Sequence, residues 1–263
     1  MVRVMPTAMI TGASSGLGRE MSKVFAKHHY DLILVSRRNE VLLSLAKELI
    51  QEYAIMVHVF TSDLSHPAAA EKIFRYVQTE GLVVDVLINN AGLGEYGYFP
   101  EASPEKITEM VMVNMHSLTL LTRLLLPGML ARRNGKILNI ASTAAFQPQP
   151  LSAVYAATKA YVLSFSQALS LELKGTGIVV TALCPGPTRS DFFRRASMHH
   201  LTQEKIERFA DPFRMAEFGY KSLLASKTTA ISGLGNKIRI FVLRLFPASW
   251  GHRLTALRRG RLT

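Results

Sequence analysis

The 263-residue chain has one cysteine, Cys184, and one tryptophan, Trp250. A single thiol excludes an intramolecular disulfide and any metal cluster built on several thiolates. Cys184 stands between an apolar run and Pro185, the setting of a buried filler rather than a nucleophile. The adjacent pair His199-His200 does not make a metal site by itself, and no metal is expected. Long apolar runs are also missing. The best stretch, Leu118 to Leu130, contains Arg123 and Pro127, so no transmembrane helix is expected. The N-terminus, Met1-Val2-Arg3-Val4, reaches glycines by Gly12, and its first apolar run is needed as a strand, which leaves no room for a cleaved leader. These absences favour a reducing, cytoplasmic compartment. Acid is missing from one region only. Residues 237–263 hold seven Lys and Arg and no Asp or Glu, +7 of a net charge of +12. Residues 1–236 carry the other +5 and all 19 acids.

What is present is an ordinary globular mixture, 48% apolar and 19% charged, enough for a substantial core. Short apolar runs (Val4–Ile10, Leu32–Val35, Ile55–Phe60, Val83–Ile88, Lys136–Ile140, Ile178–Leu183, Thr228–Ile231) alternate with helical patterns. The helices expected are Leu17 to about Lys27, Glu40–Ile50, one starting near Pro67, about Pro104–Leu130, and Ala153–Leu173. That alternation predicts right-handed βαβ units: an α/β fold with a doubly wound, Rossmann-type parallel sheet, helices on both faces, in a single domain over 1–236. Residues 237–263 form a basic C-terminal extension. The aromatic and charged segment Arg189–Phe218 breaks the pattern at the edge where such sheets bind ligands, and is expected to be a substrate lid.

Thr11-Gly12-Ala13-Ser14-Ser15-Gly16-Leu17-Gly18 follows the first strand and opens a helix. Glycines there permit positive φ and close backbone approach to a pyrophosphate at the helix N-terminus. The second strand should end near Ser36, where NAD enzymes of this design place a carboxylate on the ribose 2′-hydroxyl. Here Ser36 is followed by Arg37 and Arg38, whose guanidiniums suit a 2′-phosphate. NADP(H) is therefore expected over NAD(H), with Arg37 favoured; solvated arginines are the plain alternative.

Tyr155 and Lys159 lie one turn apart on one helix face. An ammonium beside a phenol lowers its pKa and brings proton transfer into reach at neutral pH. Ser142, at the end of the fifth strand, places a hydroxyl thirteen residues upstream. Asn89-Asn90-Ala91-Gly92 ends the fourth strand. In this order the motifs resemble those of the short-chain dehydrogenases/reductases, the single-domain branch with T-G-x-x-x-G-x-G, N-N-A-G and Y-x-x-x-K, over roughly residues 5–190.

The resemblance implies that Tyr155 is the acid/base, that Ser142 orients the substrate oxygen and that Lys159 lowers the Tyr155 pKa and holds the nicotinamide ribose. It gives Asn114 a helix kink and a proton relay through water. It implies cofactor contacts from Gly12, Ser14, Ser15, Gly16, Leu17 and Gly18, from Asn90, Ala91 and Gly92, and from Pro185, Gly186 and Thr188. Asp63, with Leu64, falls at the adenine end, although Asp63 also suits a helix N-cap. A homo-oligomer built on the helices Pro104–Leu130 and Ala153–Leu173 is implied too.

The resulting expectation is a NADPH-dependent carbonyl reductase or alcohol dehydrogenase. An isomerase or dehydratase on the same scaffold, a non-catalytic NADP(H) sensor and a membrane-surface module are the alternatives. Phe192, Phe193, Met198, Phe209, Phe213 and Phe218, with Tyr96, Tyr98 and Phe99, favour a lipophilic substrate, against a competing role in packing. The extension alternates Arg with Leu, Ile and Phe, as segments lying on anionic membranes do. Docking on the domain or on a second subunit competes with that reading. Nucleic acid fits poorly, because the charges do not frame a stacking platform.

Overall fold

The computed structural model describes residues 5–198 and 201–245. His199, His200 and residues 246–263 of the extension lie outside the described residues. Seven strands, β1 (Thr7–Thr11), β2 (Asp31–Ser36), β3 (Val57–Thr61), β4 (Val86–Asn89), β5 (Gly135–Ile140), β6 (Ile178–Cys184) and β7 (Thr229–Ile231), form one parallel sheet in the order β3-β2-β1-β4-β5-β6-β7. The strand order reverses between β1 and β4, which opens a crevice beyond their carboxyl ends.

Side chains alternate across each strand, so a sheet covered on both sides needs apolar residues at every position. Ala8, Ile10, Leu32 and Leu34 face one layer, made by α1 (Gly16–Lys27), α2 (Asn39–Tyr53) and α9 (Pro212–Leu224). Met9, Ile33, Val35 and Leu87 face the other, made by α3 (Ala69–Thr79), α4 (Pro104–Val111) leading into α5 (Leu118–Arg132), and α6 (Ala153–Glu172). Three strands begin two or three residues later than the apolar runs do. Acid side chains tie down the approaches: Asp85 Oδ2 accepts from the Thr7 amide at 2.9 Å, and Asp31 Oδ1 from the Met56 amide at 2.8 Å.

Two further differences bear on function. The helix Pro104–Arg132 is long and apolar enough, by length and composition, to cross a membrane. Leu121, Leu125 and Met129 nevertheless pack into the core. Its regular course is interrupted by a π turn at Met112–Ser117. The expected lid is also shorter than Arg189–Phe218. A bridge between Thr188 and Ala210, with an Arg189–Asp211 ion pair, closes its base. Beyond it α9 is a core helix, and Phe213 and Phe218 pack against the apolar core. Between these contacts the segment carries, among the described residues, two short helices, α7 (Phe192–Arg195) and α8 (Gln203–Glu207). The last helix among the described residues, α10 (Leu234–Leu245), runs across the boundary expected at 236.

Candidate active site

A cleft of about 650 Å³ lies at the carboxyl ends of the strands, over the β1/β4 crevice. One pole is the glycine loop. Gly12 and Gly16 have φ of +67° and +52°, the left-handed region that favours glycine. A Cβ on Gly18 would lie 2.3 Å from the Gly12 carbonyl oxygen and 2.4 Å from Asn90 Nδ2, so only glycine fits there. Asn90 Nδ2 donates to the carbonyls of Thr11 (2.8 Å) and Gly12 (3.3 Å). Thr11 Oγ1 accepts from the Asn90 and Ala91 amides, each at 3.0 Å. The Asn90-Ala91-Gly92 turn and the glycine loop are thus one rigid unit.

At the same pole Arg38 donates through Nε and Nη2 to Ser14 Oγ (3.2 and 3.1 Å) and through Nη2 to the Ser14 carbonyl (2.9 Å). Arg37 pairs with Asp63 at 3.8 Å. Burial works against the Asp63 carboxylate, but two bonds from Ser65 and the Arg37 charge outweigh it and hold the carboxyl below its ordinary pKa. Asp63 does not cap α3, whose N-cap position is Ala68. Asp63 and Leu64 both line the cleft.

The other pole holds the catalytic candidates. Ser142 follows β5, and its Oγ accepts from the Ala144 amide at 3.1 Å, which orients the hydroxyl. Tyr155, on the first turn of α6, lies beside Ser142; burial raises the phenol above its ordinary pKa, with the Ser142 hydroxyl opposing. Lys159, 5% exposed, sets its Nζ 5.9 Å from the centre of the Tyr155 ring. Its hydrogen bond goes to the Ile140 carbonyl at 2.7 Å. In this geometry the Tyr155 phenol is not depressed, because burial dominates while the Lys159 ammonium approaches the ring face and bonds to the Ile140 carbonyl.

Asn114 sits in the π turn. Both its amide hydrogens are used, on the Leu93 carbonyl and on Thr158 Oγ1 (each 2.9 Å), while Oδ1 accepts from the Leu93 amide at 2.8 Å. The side chain therefore holds the β4 loop beside Lys159, and its amide has no hydrogen left for a water. Pro185, Gly186 and Thr188 form the wall after β6. The Gly186 amide donates to Ser232 Oγ (3.0 Å), and Thr188 Oγ1 to the Gly186 carbonyl (2.9 Å).

Every cofactor and catalytic candidate named from the sequence lines the cleft except Asn114, which lies behind it. Of the aromatic set, Phe192, Phe193 and Met198 line it, whereas Tyr96, Tyr98, Phe99 and Phe209 do not. Lining residues that the sequence motifs do not name include Arg195, three places after Phe192, and Asn236 and Arg239 of α10. The only signal for the last two was their place just after the final strand, on the ligand edge of the sheet.

A family model described as "short chain dehydrogenase" matches residues 6–200. Very-long-chain 3-oxoacyl-CoA reductase of Anas platyrhynchos is 37% identical over 184 residues, 68% of this chain and 58% of that protein. The chain therefore spans under two thirds of that relative's length. 17-beta-hydroxysteroid dehydrogenase type 3 of Mus musculus is 30% identical over 95% of this chain and 79% of its own. A short-chain dehydrogenase from Sphingobium yanoikuyae, solved in complex with NADPH, superposes with a TM-score of 0.81 at 30% identity, covering 98% of this chain and 95% of that one. With a nucleotide cradle at one pole of the cleft and a Ser–Tyr–Lys cluster at the other, the chain belongs to the short-chain dehydrogenase/reductase family, whose members are nicotinamide-dependent oxidoreductases.

Proposed function

We propose that the protein is an NADP(H)-dependent oxidoreductase that interconverts a carbonyl and an alcohol on a lipophilic substrate. The observation that carries this reading is the grouping of Ser142 and Tyr155 with a buried Lys159 beside the Tyr155 ring, in the same cleft as Arg37 and Arg38. The cradle fits a dinucleotide: its glycines admit no side chain, and its charged donors are guanidiniums. Gly12, Ser14, Ser15, Gly16, Leu17 and Gly18 would hold the phosphates, with Arg37, Arg38, Asp63 and Leu64 at the adenosine end. Asn90, Ala91, Gly92, Pro185, Gly186 and Thr188, with Tyr155 and Lys159, would wall the nicotinamide.

A bound nicotinamide supplies a hydride to the substrate carbon or takes one from it. Tyr155 gives its hydroxyl proton to the carbonyl oxygen during reduction and takes it back during oxidation. Ser142 donates to the same oxygen and fixes its position. Lys159 provides positive charge under the Tyr155 ring, which favours the phenolate left after proton donation. Asn114 is a positioning residue, holding the Leu93 backbone against this group.

Phe192, Phe193 and Met198 form an apolar wall beside Tyr155, and two of the relatives are named for fatty-acyl and steroid substrates. A second reading, compatible with the first, is attachment to an anionic membrane surface from the cytoplasmic side. It is favoured by α10, where Leu234, Ile238, Phe241, Val242 and Leu245 are all exposed.

The test is a fluorescence titration with NADPH and NADH of the wild type, Tyr155→Phe and Arg37→Ala. Tyr155→Phe should bind NADPH as the wild type does and lose turnover. Arg37→Ala should lower the NADPH/NADH preference by about tenfold, as loss of a charge-assisted pair does. Failure of the wild type to bind either nucleotide would overturn the proposal.

A further inference from the structure

The lid carries a charge that the cofactor motifs do not include. Arg195, at the end of α7, donates from Nη2 to Ser15 Oγ at 3.4 Å across a sequence separation of 180 residues. Arg38 grips the neighbouring Ser14 from the β2 side. Adjacent serines of the glycine loop therefore each receive a guanidinium, and Arg37 lines the same end of the cleft.

The acids nearby do not balance these charges. Asp63 is paired with Arg37 and bonded to Ser65, and Asp191 is paired with Arg194 at 3.5 Å. Burial, followed by the charges of Arg38 and Arg37, works against ionisation of Arg195, with Asp191 opposing. A guanidinium does not escape such repulsion by losing its proton. A polyanion placed among the three relieves it, and a phosphate monoester accepts their forked donors.

One turn back along α7, the Phe192 ring lies 5.4 Å from the Tyr155 ring at 49°. The short helix thus touches the acid/base residue at one end and the glycine loop at the other.

Resting on the NADP(H) reading, we propose that Arg195 is a third guanidinium for the 2′-phosphate of the cofactor, and that through α7 this phosphate sets the position of Phe192 over Tyr155. The 2′-phosphate then does two things in this chain: it selects the nucleotide and it shapes the substrate wall. NADH would occupy the cradle without drawing Arg195 inward.

The experiment is isothermal titration of the wild type, Arg195→Gln, Arg195→Lys and the exposed control Arg194→Gln with NADPH, NADH and adenosine 2′,5′-bisphosphate. Melting temperatures without nucleotide verify folding. Arg195→Gln is expected to weaken NADPH and the bisphosphate about tenfold, with NADH changed less than about twofold. Arg195→Lys should recover part of the loss, since it keeps the charge and loses the fork. Arg194→Gln should match the wild type. KM for a bulky ketone should rise in Arg195→Gln when NADPH is the reductant and stay level with NADH.

An unchanged NADPH/NADH ratio in Arg195→Gln, or equal weakening of both nucleotides, overturns the inference; equal weakening would move the contact to the pyrophosphate. A wild type that does not prefer NADPH defeats the cofactor reading itself, whatever the variant does.

Discussion

At the scale of single residues the cleft is governed by burial. Lys159 has its ammonium pushed down to about 8 by desolvation, with Cys184 opposing. In the unfolded chain a lysine titrates near 10.4, so between those values the folded protein binds fewer protons than the unfolded one. Stability from this group therefore rises with pH across the window from about 8 to 10.4. Below it, the buried charge costs on the order of 3 kcal/mol, less what the Ile140 carbonyl returns. Tyr155 has the opposite sign. Its raised pKa keeps the phenol protonated in the fold, so its contribution is lost above about pH 10. Denaturant midpoints of the wild type and Lys159→Met, measured at pH 7.5 and 9.5, should move differently, the wild type gaining about 1–2 kcal/mol relative to the variant. Equal movement would mean that the ammonium titrates at its ordinary value.

At the scale of elements, α7 depends on a glycine from another loop. A Cβ on Gly94 would lie 2.5 Å from Phe192 Cζ, so the ring seats over Tyr155 only because residue 94 has no side chain. Gly94→Ala should push the ring toward the substrate and raise KM for a bulky ketone about threefold to tenfold. NADH affinity should hold within about twofold, because the glycine cradle is untouched. An unchanged KM would place Phe192 outside the substrate's path. What the sequence disclosed about these elements follows from the range of the contacts. The glycine loop, Asn90-Ala91-Gly92 and Tyr155/Lys159 are short spacings whose meaning is local, and the alternating runs set the sheet. Aromatic content places Phe213 and Phe218 in the expected lid, although Asp211-Pro212 marks a helix start: the Asp211 side chain accepts from the Arg214 amide at 3.0 Å, with Pro212 in the first turn. That local signal is legible in the sequence and is a better guide here than aromatic content. Arg195 and Asn236 were not legible in this way, because their place in the cleft comes from tertiary packing and no local pattern encodes it.

At the scale of the whole molecule, charge and apolar surface meet on one face. The exposed stripe of α10 is flanked by Lys237 and Arg239, both exposed, and Arg239 lines the cleft mouth. Vesicles containing phosphatidylserine should co-sediment the full chain, whereas neutral phosphatidylcholine vesicles should not. Ile238→Glu with Phe241→Glu should abolish sedimentation and leave turnover of a water-soluble ketone intact. Retained sedimentation would assign attachment to residues beyond α10, and a change in oligomeric state would make the stripe a subunit contact. A different consequence follows from the contact between Ser15 and Arg195, which closes a ring of 180 residues. Drawing the two ends of so long a segment together carries a loop-closure entropy cost. A nucleotide gripped by both would serve as a non-covalent cross-link, adding stability in proportion to the logarithm of its concentration. A chain still being synthesised would have the cradle long before it had the clasp, and would tighten on its nucleotide only after residue 195 had emerged.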